Sequence, residues 1–223
     1  MSNEPTFVAV EVGTGDTLRH IVGIAVAEFR EGEIERLAGW HTRVDPDTEF
    51  SRALRLIDDI TGQDVRRVRN FPALHSILCE WLSGKVVVTH GDHARRALEG
   101  ACDRYGLARF DCRWLDSYVV AKAALHRRRN DQYRLESLGA WLGWEVPRGE
   151  LDVRAQVIGQ ATLWCAAILG TRVTDLADSR VSPATAAKPL SHDEDPDLPR
   201  RPASDTQPKT QFAVAERESL SLR

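Results

Sequence analysis

The order of apolar runs along the chain predicts an α/β domain: a mixed five-stranded sheet with helices on both faces, followed by a disordered C-terminal tail. Three observations predict it. Three strand-like runs come first, separated by short turns; strand and helix patterns then alternate; and six of the ten prolines crowd into residues 183–208. A hairpin series followed by strand-helix alternation joins antiparallel strands to parallel ones and lays the helices on the sheet.

Taken in order, Phe7-Val8-Ala9-Val10-Glu11-Val12 is almost continuously apolar, as expected of a strand covered on both faces, and Gly13, Gly15 and Asp16 break it. A second strand fits residues 21–29, a turn falls at Glu31-Gly32-Glu33, and a third strand fits residues 34–44, so these three form an antiparallel meander. Helical spacing starts with Leu74, Ile77, Leu78, Trp81 and Leu82, one buried helix face that Gly84 closes. Lys85-Val86-Val87-Val88-Thr89 is a short buried strand, and Ala94, Ala97, Leu98, Ala101, Cys102 and Tyr105 are the stripe of the next helix. Another strand and helix occupy residues 113–125. Leu135, Leu138, Trp141 and Leu142 mark a short helix, and Val157, Ile158, Ala161, Trp164, Cys165 and Ile168 a longer one. Trp81, Trp141 and Trp164 fall at core spacings, while Trp144 follows Gly143 in a loop, as a contact or as a lid on the last helix.

The tail is rich in proline, serine and threonine and carries the acidic run Asp193-Glu194-Asp195, so it buries too little apolar surface to offset its ordering entropy. The expected organisation is a domain over residues 5–175 and a disordered tail over 176–223. With 30 Lys and Arg against 33 Asp and Glu, the formal charge is −3, which excludes a chain held to nucleic acid by bulk charge. Contact with nucleic acid must be local, and the Arg95-Arg96 pair is the candidate nearest the predicted strand ends; a solvated helix face is the plainer account. No apolar run approaches the roughly 18 residues that span a bilayer. The first residues lack the pattern of a secretory signal, so a cytoplasmic protein without a membrane partner is expected. Cys79, Cys102, Cys112 and Cys165 then read as reduced thiols, three of them within apolar helical patterns.

Several local phrases, in this order, carry a resemblance. They are Phe7-Val8-Ala9-Val10, Ile60-Thr61-Gly62 with Phe71-Pro72, Val86-Val87-Val88-Thr89-His90, Trp114-Leu115-Asp116-Ser117, and Leu135 through Leu142-Gly143. Over about residues 6–170 the chain resembles the DEDD (DnaQ/ribonuclease T-like) superfamily of 3'-to-5' exonucleases, which implies a ribonuclease H-like fold. Enzymes of that superfamily hold two divalent ions with four carboxylates and use a histidine to help deprotonate the attacking water. The carboxylates offset about four positive charges and set the spacing that clamps the attacking and leaving oxygens.

The motif positions in this chain are depleted. The first motif, Asp-x-Glu, falls on Glu11-Val12-Gly13, which keeps one carboxylate and deletes the other. The second places Ala94 where an aspartate belongs, in His90-Gly91-Asp92-His93-Ala94, and the third has Gly149 for its histidine and Arg154 for its carboxylate. Arginine stays protonated in proteins, so Arg154 brings a fixed positive charge to the place of a metal and is expected to pair with Glu11. No catalytic residue, metal ligand or cofactor is therefore expected, and the resemblance leaves Thr14, His90, Arg95 and Arg96 as candidate nucleic-acid contacts.

Other arrangements compete. Asp92, Glu150 and Asp152 lie near the vacated positions and would rescue a metal site if residue 152 were still loop, since two residues of helix turn a side chain through about 200°. A zinc site from His90, His93, Cys102 and Cys112 would need those ligands to converge. Three functions follow: a pseudo-exonuclease scaffold that binds a partner protein or a nucleic-acid end, a divergent active exonuclease using Mg or Mn, or a binding module for single-stranded nucleic acid. The end of the tail, Ser219-Leu220-Ser221-Leu222-Arg223, loosely resembles the peptide by which bacterial replication proteins bind the sliding clamp, which suits a partner engaged through the tail.

Overall fold

A computed structural model describes residues 5–15, 17–18, 20–47, 68–125, 130–147 and 149–178. Ile60-Thr61-Gly62 and the tail from residue 179 lie outside the described residues.

The meander is present as β1 (Thr6–Thr14), β2 (Ile21–Arg30) and β3 (Arg36–Arg43). It is followed by α1 (Phe71–Leu82), β4 (Val86–Thr89), α2 (His93–Tyr105), β5 (Arg113–Asp116) and α3 (Ser117–Leu125). A 3-10 turn (Asn130–Tyr133) leads into α4 (Leu135–Leu142), α5 (Leu151–Ile168) and α6 (Val173–Asp178). The five strands form one sheet in the order β3-β2-β1-β4-β5. β1 pairs antiparallel with β2 and parallel with β4, and β4 pairs parallel with β5. The carboxyl ends of three parallel strands therefore open toward the same side, where ligands of open α/β sheets bind.

The two-residue period of β1 divides the core. Val8, Val10 and Val12 face α1 and α2, with Leu74, Leu78, Ala97 and Leu98 in one cluster. Phe7 and Ala9 face the other layer, with Ala25, Ala27 and Phe29 of β2 and Ala155, Val157 and Ile158 of α5. By the same period, Glu11 and Gly13 belong to the α5 side. Small side chains on the sheet let α5 lie close. At Gly159 an added Cβ would stand 2.0 Å from Phe29 Cε2, and Phe29 itself stacks on Phe7 at 5.5 Å between centroids.

One strand boundary differs from the sequence reading. β3 starts at Arg36, not residue 34, and Ile34 is 54% exposed on the connection before it. The long helix starts at Leu151, ahead of its apolar stripe. The last described helix, α6, is held by Glu31: its buried carboxylate accepts from the Thr174 backbone N–H at 2.8 Å, while Arg113 pairs with Asp178. Trp81, Trp141 and Trp164 lie half-buried at the core margin rather than within it, with Trp141 edge-on against Trp164. Trp144 is half-buried too, and its backbone N–H closes α4 by donating to the Gly139 carbonyl at 2.8 Å. Among the described residues no helix is long and apolar enough to cross a membrane.

Candidate functional site

The site lies beyond the carboxyl ends of β1, β4 and β5, roofed by the start of α5. Glu11 points from β1 toward that helix. Arg154 sits one turn into α5 and donates from Nε to Glu11 Oε1 at 2.9 Å. Its Nη1 donates to Glu136 Oε1 on the first turn of α4, also at 2.9 Å. One guanidinium thus bridges acids from two other elements. The side chains of Glu11 and Arg154 are 14% and 19% exposed, whereas Glu136 is 52% exposed, so the inner contact is the desolvated one.

The electrostatics follow from that burial. Desolvation pushes the Glu11 carboxyl above the usual carboxylate range, although the Arg154 charge and hydrogen bond pull the other way. Glu136 is also penalised by burial, but its hydrogen bond from Arg154, a backbone amide and the Arg154 charge leave it below its ordinary value. For Arg154, desolvation is outweighed by the two acids, which hold the guanidinium protonated more firmly than usual. A buried pair of this kind is a weak source of net stability, because desolvation consumes most of the attraction.

Each remaining motif position has a specific surrounding. Gly13 is covered by Leu151: an added Cβ would meet Leu151 Cδ1 at 3.3 Å, and one added at the paired residue Gly23 would meet the same atom at 2.7 Å. The space over both glycines is filled by leucine. Ala94 is 2% exposed and faces the apolar cluster under α2. Gly149 has φ 86°, a left-handed conformation that glycine adopts without the steric cost a Cβ would bring.

The candidate nucleic-acid contacts are not gathered at one point. Thr14 Oγ1 lies 3.2 Å from His93 Nε2, which joins the end of β1 to the start of α2 beside the cleft. His90 is turned inward: Nδ1 is 2.8 Å from Ser117 Oγ, Tyr118 packs edge-on against the ring, and burial lowers its pKa. Arg95 pairs with Glu99 at 3.0 Å and lies 6.0 Å over the Trp114 ring, while Arg96 pairs with Asp92 at 3.3 Å on the solvent side of α2.

The two divalent ions implied by the resemblance do not fit these residues. Glu11 is engaged by a cation, Gly13 and Ala94 offer no donor, and among the described residues no group of three or more His, Cys, Asp or Glu side chains is placed to hold a metal. The rescue arrangement fails on geometry as well. Residue 152 is already helical, so Asp152 diverges from Arg154 by about 200°. The proposed zinc ligands do not converge, for Cys102 is buried in the core layer under α2 and His90 is bonded to Ser117. Burial pushes the Cys102 and Cys112 thiols up to about 11 and about 12. All four cysteines are free.

Glu136 is the site residue that the sequence reading missed. Its only signal is an acid on the first turn of a helix, and its partner is 18 residues away.

No protein-family model and no curated protein sequence matches the chain. Solved structures do. The nuclease domain of 3'hExo, a DEDDh family member bound to rAMP, superposes with a TM-score of 0.64 at 14% identity, covering 85% of this chain and 99% of that one. Exonuclease X in complex with 5' overhanging duplex DNA gives 0.55 at 16% identity, covering 77% and 98%. Cell-death related nuclease 4 gives 0.59 at 10% identity, covering 76% and 66%. The fold is that of 3'-to-5' exonucleases and is ribonuclease H-like, as the sequence resemblance implied.

Proposed function

We propose that this chain is a pseudo-exonuclease: a 3'-to-5' exonuclease fold that does not hydrolyse phosphodiesters and serves in DNA or RNA metabolism as a scaffold for a partner protein or a nucleic-acid end. The observation that carries the reading is the salt bridge from Arg154 to Glu11, which places a permanent cation against the one acid retained in the family motifs. Metal-assisted hydrolysis needs clustered carboxylates to hold the ions that generate and orient the nucleophile. Here the cleft is balanced from within, and Leu151 takes the space over Gly13. Among the described residues no group of three or more metal-ligating side chains forms a cradle, and the acid on β1 is engaged by Arg154.

Association with nucleic acid is supported by the fold neighbours, whose structures include a histone mRNA stem-loop recognised at its 3' end and a 5' overhanging duplex DNA. In this chain such binding falls to local groups, Thr14 and His93 at the cleft edge with Arg95 and Arg96 beyond it, because the formal charge of −3 supplies no general attraction. The residues from 179 onward are the segment proposed to engage a protein partner. The test is magnesium and manganese titration with an end-labelled single-stranded oligonucleotide. The expected result is no release of nucleotides at any metal concentration, with salt-sensitive retention of the intact strand. Metal-dependent shortening from the 3' end that disappears in Glu11→Gln establishes the divergent active enzyme instead.

A further inference from the structure

We propose that the Arg154 guanidinium is the resident cation of the vacated cleft: by bridging Glu11 and Glu136 it fastens α4 and α5 to β1, so the folded chain needs no divalent ion there. The inference deepens the non-hydrolytic reading and rests on it. Its geometry is a single side chain donating at 2.9 Å to acids on two other elements, one from Nε and one from Nη1. Because these donors diverge in a rigid plane, the two carboxylates are held at a set separation, which a flexible lysine ammonium would not impose. The acids come from separate parts of the chain, Glu11 from the central strand of the sheet and Glu136 from the first turn of a short helix.

The two contacts are unequal in consequence. The outer one, with Glu136 half in water, positions α4 and adds little stability. The inner one is desolvated, so removing Arg154 strands the Glu11 carboxylate beside the apolar layer. What the cleft requires is a positive charge, and the chain carries its own. Arg154 is accordingly a positioning residue, and the role predicts a response that ordinary packing would not show: loss of the guanidinium makes the protein sensitive to a metal.

The experiment measures thermal unfolding of the full chain with manganese or with EDTA, alongside manganese binding by electron paramagnetic resonance. Wild type unfolds at one temperature in both and binds no manganese at the cleft. Arg154→Ala unfolds about 6–15 °C lower in EDTA. It recovers at least half of that loss with manganese, which it binds. Glu11→Gln/Arg154→Met, which removes both charges and keeps the volume, unfolds close to wild type and ignores manganese. This double variant also decides the matter if Arg154→Ala does not fold, since its stability traces the failure to the stranded carboxylate. The proposal is overturned if Arg154→Ala unfolds like wild type, if it is destabilised yet indifferent to manganese, or if the double variant is no more stable than the single one. Manganese-dependent digestion of an oligonucleotide by wild type would defeat the non-hydrolytic reading alone, leaving the variant comparison to judge the bridge.

Discussion

The Leu151 side chain covers Gly13 across more than half the length of the chain, with Cδ1 3.3 Å from where a Cβ on that glycine would stand. Gly13 and Leu151 therefore form one packing unit at the end of β1. Gly13→Glu is expected to destabilise the protein by about 1–3 kcal/mol through overpacking. Leu151→Ala in the same chain should return part of that loss. Urea unfolding of the two single variants and the double variant checks it, and strictly additive effects would refute the contact.

Gly159 makes a second close approach. Three atoms of the Phe29 ring lie within 2.5 Å of an added Cβ, so Gly159→Ala should cost about 1–3 kcal/mol despite alanine's better helix propensity. Phe29→Leu should soften the penalty, a coupling read by the same unfolding cycle.

His90 makes stability depend on acidity. Burial lowers its folded-state pKa from the ordinary 6.5, so between the two values the unfolded chain binds more protons than the folded one. Its contribution is intact above pH 6.5 and declines as the pH falls toward the folded value. Glu136, also lowered, adds a loss in the more acidic carboxylate range, while Glu11, raised, works in the opposite direction there. Wild-type stability should fall from neutral pH to mildly acidic pH, and His90→Gln should flatten that slope; parallel slopes in denaturant titrations would count against the assignment.

Arg95 and Arg96 are half or more exposed, and their ion pairs are with nearby acids, Glu99 and Asp92. Replacing both by alanine should leave stability within about 0.5 kcal/mol. If they meet phosphates, the salt slope of single-strand binding should drop by about 1.4, two contacts' worth. A retained slope measured by filter binding would place the nucleic-acid surface elsewhere.

Much of this protein was legible in order along the chain. The two-residue period of β1 puts Phe7, Ala9, Glu11 and Gly13 on one face, and the helical stripes locate α1, α2, α4 and α5, because strand and helix periods are properties of adjacent residues. The identities of Gly13, Ala94, Gly149 and Arg154 are likewise read directly from the sequence. What only the folded chain decided is who fills the resulting space. The rotation and depth of α5 on the sheet set the seat of Leu151 over Gly13 and Gly23 and bring Glu136 to the far side of Arg154. Glu31 likewise meets the start of α6 only in the folded chain. These contacts join residues that share no local pattern; their partners are selected by close packing between layers, a constraint that acts in three dimensions and leaves no period in the sequence.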